Sequence, residues 1–157
     1  MSYDLEIKEA ELKDIDAVIE IAKRSFYKYD LKKYGMSFDL DSVEATYKGA
    51  VLHESQKLFI AFHNDIVVGG LQAVIVPTMF NFNKRIISEF GMQADPNLST
   101  IKQSRIILSL IAHLEDYAKE KKIDLISFSI SPEFDISQKL IKKNYKLSDK
   151  VLVKEAY

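Results

Sequence analysis

"KLFIAFHNDIVVGGLQAVIVP" (57–77) holds two runs rich in β-branched and aromatic residues, joined by His63, Asn64 and Asp65. Asn and Asp tolerate the left-handed backbone that a tight hairpin turn needs. The stretch therefore predicts a hairpin with strands near 57–63 and 66–76.

Working outward, "LEIKEA" (5–10) alternates as a strand does, and "DIDAVIEIAKRSF" places Ile15, Val18, Ile19, Ala22 and Phe26 on one helical face. "LDSVEATYKGAVLHES" (40–55) reads as a second helix capped by Asp39 or Asp41. Past Pro77, "TMFNFNK" (78–84) reads as a loop, and "RIISEFGMQA" (85–94) as a fourth strand whose Gly91 suggests a bulge.

"DPNLSTIKQSRIILSLI" (95–111) then opens the most periodic helix, with Ile107, Leu110, Ile111, Leu114, Tyr117 and Ala118 on one face and "KEKK" at its negative end. "DLISFSIS" (124–131) reads as a buried strand. "DISQKLIKKN" (135–144) reads as a short helix with an Asp135/Gln138 capping box, and "YKLSDKVLVKEA" (145–156) as a last strand or pair. The order is β-α-α-β-β-β-α-β-α-β. It predicts an α/β fold with a mixed sheet flanked by helices, parallel where helices connect the strands and antiparallel in the hairpin.

The 157 residues, with 47% hydrophobic content and no low-complexity tract, suit one domain over 1–157. Twenty-two Lys and Arg nearly balance 23 Asp and Glu, so net charge predicts no general affinity for nucleic acid or membrane, although local patches remain open. The Lys139, Lys142, Lys143 and Lys146 cluster is explained by a solvated helix face. With no cysteine, thiolate nucleophiles and zinc-cysteine sites are excluded, and a cytoplasmic setting fits. His53, His63 and His113 lack metal-ligand spacing. The N-terminus does not resemble a signal peptide, and the apolar runs fall short of the roughly 20 residues that cross a bilayer.

With these words in these places, the chain resembles the GNAT superfamily of N-acetyltransferases. "IKEAELKDIDAVIEIAKRSF" is similar to the family's first strand and helix, and "FIAFHNDIVVGGLQAVIVP" to its hairpin with Gly69-Gly70. "FGMQADP" is similar to its fourth strand, "LIAHLEDYAKEKKIDLISFSIS" to its third main helix and fifth strand, and "LIKKNYKL" to its last helix. The long "PTMFNFNK" segment resembles divergent members common in bacteriophages, which would place the protein in host cytoplasm or virion.

The resemblance implies that acetyl-CoA lies in a gap between the fourth and fifth strands, with the backbones of Met92 and Ala94 toward the pantetheine amides. It also implies that the pyrophosphate sits on the start of the next helix, where open N–H groups attract anions. The family's glycine-rich hexapeptide falls on Lys102, Gln103, Ser104, Arg105, Ile106 and Ile107, with every glycine replaced, so side chains would have to supply the phosphate contacts.

Glu89 is the implied base for an amine substrate. The family's tyrosine acid falls on Leu140, which has no proton to give, and Tyr145 matches a core aromatic position. The acceptor amine would enter over the first two helices and the 77–84 segment. Two functions follow: acetyl transfer to an amine, or a catalytically silent GNAT-fold module that binds a protein partner.

Overall fold

The computed structural model describes residues 4–148 and 154, without the side chain of Glu133. Its elements are β1 (Glu6–Glu9), α1 (Ile15–Lys28), α2 (Leu40–Leu52), β2 (Gln56–His63), β3 (Ile66–Thr78), β4 (Asn81–Ala94), α3 (Thr100–Glu120), β5 (Leu125–Ser127) and α4 (Ser137–Lys142). The five strands form a sheet in chain order. All neighbours are antiparallel except β4 and β5, which run parallel.

The difference between β1–β2 and β4–β5 lies in the connections. One helix, α3, returns the chain to the same end of the sheet and makes β5 parallel to β4. Two helices reverse it twice, so β1 and β2 pair antiparallel, against the expectation that helix-connected strands run parallel.

The β2–β3 turn forms as its sequence predicts, with positive φ at Asn64 and Asp65. Asp39 caps α2 by accepting the Ser42 N–H at 2.9 Å. Ser99 caps α3 by accepting from Lys102. Asn144 takes the left-handed conformation that ends α4.

Each face of the sheet has its own core. Ile106, Ile107, Leu110, Ile111 and Leu114 of α3 pack with Leu140 on Phe59, Leu71, Ala73 and Ile87. Ile15, Val18 and Ile19 of α1 join Tyr47 and Ala50 of α2 over Leu58, Ile60 and Phe62. The glycine pair in β3 divides between these faces. A Cβ on Gly69 would lie 2.6 Å from Ile106 Cγ2 and 2.8 Å from the Gln93 carbonyl oxygen, whereas on Gly70 its nearest neighbours, the Phe59 carbonyl and Val18, stand at 3.6 Å. Gly69 thus lets α3 approach the sheet.

Some expectations need correction. Residues 78–84 are not a loop: β3 runs to Thr78, Met79 and Phe80 make the turn, and β4 starts at Asn81. The Thr78 hydroxyl donates to the Asn81 carbonyl at 2.7 Å and the Asn83 N–H donates to the Asn81 side chain at 3.0 Å, so local polar groups close the hairpin. Pro77 fits because β2 ends its pairing at Val74, leaving Pro77 on an unpaired side of β3.

Asp135 accepts the Ser137 N–H at 2.8 Å, but no capping box forms. Ile126, Phe128 and Ile130 are half-buried, since β5 pairs with β4 over three residues. Of the expected last strand, Tyr145–Ser148 has no regular structure and the rest lies outside the described residues, apart from Lys154.

Candidate active site

β4 is bulged. Gln72 pairs with Gly91 and Ala73 with Glu89, so Phe90 is the extra residue. On the other side of β4, pairing with β5 stops at Ser88 and Ser127, whose hydroxyls are 2.8 Å apart. Beyond that contact the two segments separate.

The orientation of the peptide groups along the splay follows from the ladder. The Asp95 N–H donates to the Val68 carbonyl at 2.8 Å, which makes those two residues a hydrogen-bonded pair. Antiparallel pairs alternate, so Gln93 and Gly91 bond to β3, while the N–H and C=O groups of Met92 and Ala94 point away from it, toward the separation. These are the two residues expected to face a pantetheine arm.

Glu89 sits at the apex, half-buried, on the α3 face of the sheet. Its carboxylate accepts the Ser129 N–H at 3.1 Å. Burial raises its pKa from 4.5 to about 7, against the smaller lowering effect of that hydrogen bond. A cavity of about 160 Å³ adjoins it, lined by Glu89, Met92, Ile107, Ser129, Ile130 and Phe134 among others.

The other face carries different chemistry. Nothing lies within 4 Å of the point where a Gly91 Cβ would stand. Beside it, Gln93 donates to the Tyr47 hydroxyl at 2.6 Å, and burial raises the pKa of that phenol while the bond opposes the rise.

The helix-start residues divide. Lys102 and Arg105 are exposed, and Ser104 is half-buried. Ser104 and Arg105 line an open groove of about 490 Å³ along the outer side of α3, bordered by Lys139. Gln103 is buried instead: its amide donates to the Leu98 carbonyl at 2.6 Å and its oxygen accepts the Tyr29 hydroxyl at 3.0 Å. Ile106 and Ile107 are core residues. Three of the six positions thus spend their side chains on the protein itself.

The 95–98 turn is pinned from α1. Lys28 donates to the Pro96 carbonyl, and Arg24 lies 3.5 Å from the Asp95 carboxylate. Leu140, which has no proton to give, is buried in the core. Tyr145 donates to Glu115 at 2.9 Å and packs on Phe128, and burial with that carboxylate holds its phenol above the usual range. Ser129, Tyr47 and Gln93 are site residues that the sequence did not single out. Among the described residues, no group of three or more His, Asp or Glu is placed to hold a metal ion.

The mixed five-stranded sheet flanked by helices has the GNAT acetyltransferase fold, as its likeness to solved acetyltransferases shows. An aminoglycoside N-acetyltransferase in complex with CoA matches at 16% identity with a TM-score of 0.73, over 99% of this chain and 96% of that one. A predicted acetyltransferase with acetyl-CoA from Clostridium acetobutylicum matches at 19% identity and a TM-score of 0.71, over 97% and 96%. A ribosomal-protein-alanine N-acetyltransferase from Brucella melitensis matches at 13% identity and 0.69, over 98% and 99%. No family model and no curated protein sequence matches the chain.

Proposed function

We propose that the chain is an acetyl-CoA-dependent N-acetyltransferase acting on an amine. The observation that carries this reading is the apex of the splay, where a carboxyl group with a pKa of about 7 adjoins two outward-facing peptide units. At neutral pH such a group is divided between its acid and base forms, as proton transfer requires.

The residues present fit the cofactor. Met92 and Ala94 would extend the ladder to the pantetheine amides, and the cavity at Met92 and Ile130 would receive its thiol end. The first-turn amides of α3 with Lys102 and Arg105 would hold the phosphates, and Arg105 and Lys139 would border the nucleotide end in the groove. Acetyl-CoA supplies the activated acetyl group when bound. Glu89 takes the proton from the incoming ammonium through water in the opening between β4 and β5, because its carboxylate lies on the α3 face and the amine arrives from the other. The amine approaches over Gly91 from the α1–α2 side, past Tyr47 and Gln93.

This keeps the expected entry over the first two helices but not over the 77–84 segment. That segment is at the Asn81 end of β4, and the pairing of Asn81 with Thr78 and of Glu89 with Ala73 puts it five strand steps, roughly 17 Å, from Glu89.

Release of free thiol from acetyl-CoA, followed across a panel of small amines and N-terminal peptides, tests the proposal. Turnover with one acceptor class supports it. No binding of acetyl-CoA at millimolar concentration refutes it and leaves the fold as a silent protein-binding module.

A further inference from the structure

The hairpin joining β3 to β4 outreaches its neighbours. β3 stops pairing with β2 at Val74 and β4 starts pairing with β5 at Ile86, so the segment from Val76 to Arg85 projects past the sheet. Its end carries three large apolar side chains, Met79, Phe80 and Phe82, which are 75%, 93% and 80% exposed. So much apolar surface on one short tip calls for a partner.

The charges behind the tip identify its chemistry. Arg85 donates to the Lys121 carbonyl at 2.8 Å and its N–H to Asp124 at 2.9 Å, bringing the turn after α3 against the root of the hairpin. Lys84, Arg85, Lys121 and Lys122 thus gather there, opposed by Asp124, which lies 3.8 Å from Lys84, and Glu120, which Lys121 binds at 2.8 Å. The adjacent Glu9 is bound by Lys57. The cluster stays net basic on a chain whose net charge is −1.

We propose that this tip is a membrane-contact element, inserting Met79, Phe80 and Phe82 into the interface of an anionic bilayer while the four cations meet its headgroups. Arg85 pairs with Pro77 and Asn81 with Thr78, so at about 3.3 Å per strand residue the Met79-Phe80 turn stands only one or two steps, roughly 3–7 Å, beyond the cations, which suits a shallow seat at the headgroup boundary. At the turn itself Thr78 pairs with Asn81 and the Thr78 hydroxyl and Asn83 N–H bond to Asn81, while residues 82–84 bulge out of the ladder with β3. A second copy is the poorer occupant, because a two-fold contact between tips brings the same cations together. The contact is peripheral: among the described residues, no helix is long and apolar enough to cross a membrane.

The test is flotation of the full chain with vesicles of phosphatidylcholine alone or with about one third phosphatidylglycerol. A net of two cations predicts roughly 25-fold stronger partitioning to the anionic vesicle at low salt, lost at high salt. Phe80→Ser with Phe82→Ser should abolish binding and leave thermal stability unchanged. Lys121→Gln with Lys122→Gln should erase the preference. Absence of binding to anionic vesicles, or equal binding by wild type and the double Ser variant, overturns the proposal. So does a dimer, in a protein that ignores vesicles, that the Ser substitutions dissolve.

Discussion

The Glu89 carboxylate accepts the Ser129 N–H at 3.1 Å, joining the bulged strand to the segment that splays from it. The bond leaves burial as the dominant influence, and the group titrates near pH 7. Between about pH 4.5 and 7 the folded chain holds a proton that the unfolded chain has released. Stability from this group is therefore complete below pH 4.5 and lost as pH rises through about 7. Glu89→Gln should flatten that slope in urea unfolding at pH 5 and pH 8; identical slopes would remove Glu89 as its source.

The same group sets a kinetic expectation. If Glu89 is the base, kcat/KM should fall below pH about 7, and Glu89→Gln should lose both turnover and that limb while acetyl-CoA affinity changes little. An unchanged pH profile in the variant would assign the proton to another group.

Gly69 and Gly70 should respond in opposite ways to alanine. At Gly69 the methyl meets Ile106 and the backbone of β4, so the start of α3 must shift, costing about 1–3 kcal/mol. At Gly70 it finds ordinary contacts, and reduced freedom of the unfolded chain should make the change neutral or stabilising by up to about 1 kcal/mol. Chemical denaturation of the two variants checks the contrast.

Leu140→Tyr will not restore a proton donor. The side chain lies in the core against the α3 face, so the larger ring should destabilise the fold by about 1–3 kcal/mol without raising turnover. A gain in activity would show that the position opens on the cleft.

Lys102→Ala with Arg105→Ala should weaken acetyl-CoA binding by roughly 1–3 kcal/mol for each charged hydrogen bond lost, with a smaller effect at high salt. Calorimetry at two ionic strengths reads both. Gln103→Ala should instead act on stability, since its amide holds the 95–98 turn.

The contrast between Gln103 and its neighbours shows what the sequence could convey. The hairpin at 57–77 was legible because its turn and alternation are local, and the same holds for the periodicity of α3. At a helix start, Lys102, Gln103 and Arg105 read alike as phosphate ligands. A tyrosine 74 positions away turns Gln103 inward. Ser129 was hidden for a related reason: it acts through a backbone N–H on a residue 40 positions distant. The 78–84 segment misled because its Asn and Thr residues, common in loops, here close a hairpin on themselves.

The central claim is that the splay between β4 and β5 receives acetyl-CoA. Titration of the ¹⁵N-labelled protein with acetyl-CoA addresses it residue by residue. The account predicts saturable shifts of the Met92, Ala94 and Ser129 amides and of the first turn of α3, with Gly70 and the Asn64-Asp65 turn unmoved. Unchanged Met92 and Ala94 signals at millimolar acetyl-CoA would contradict it.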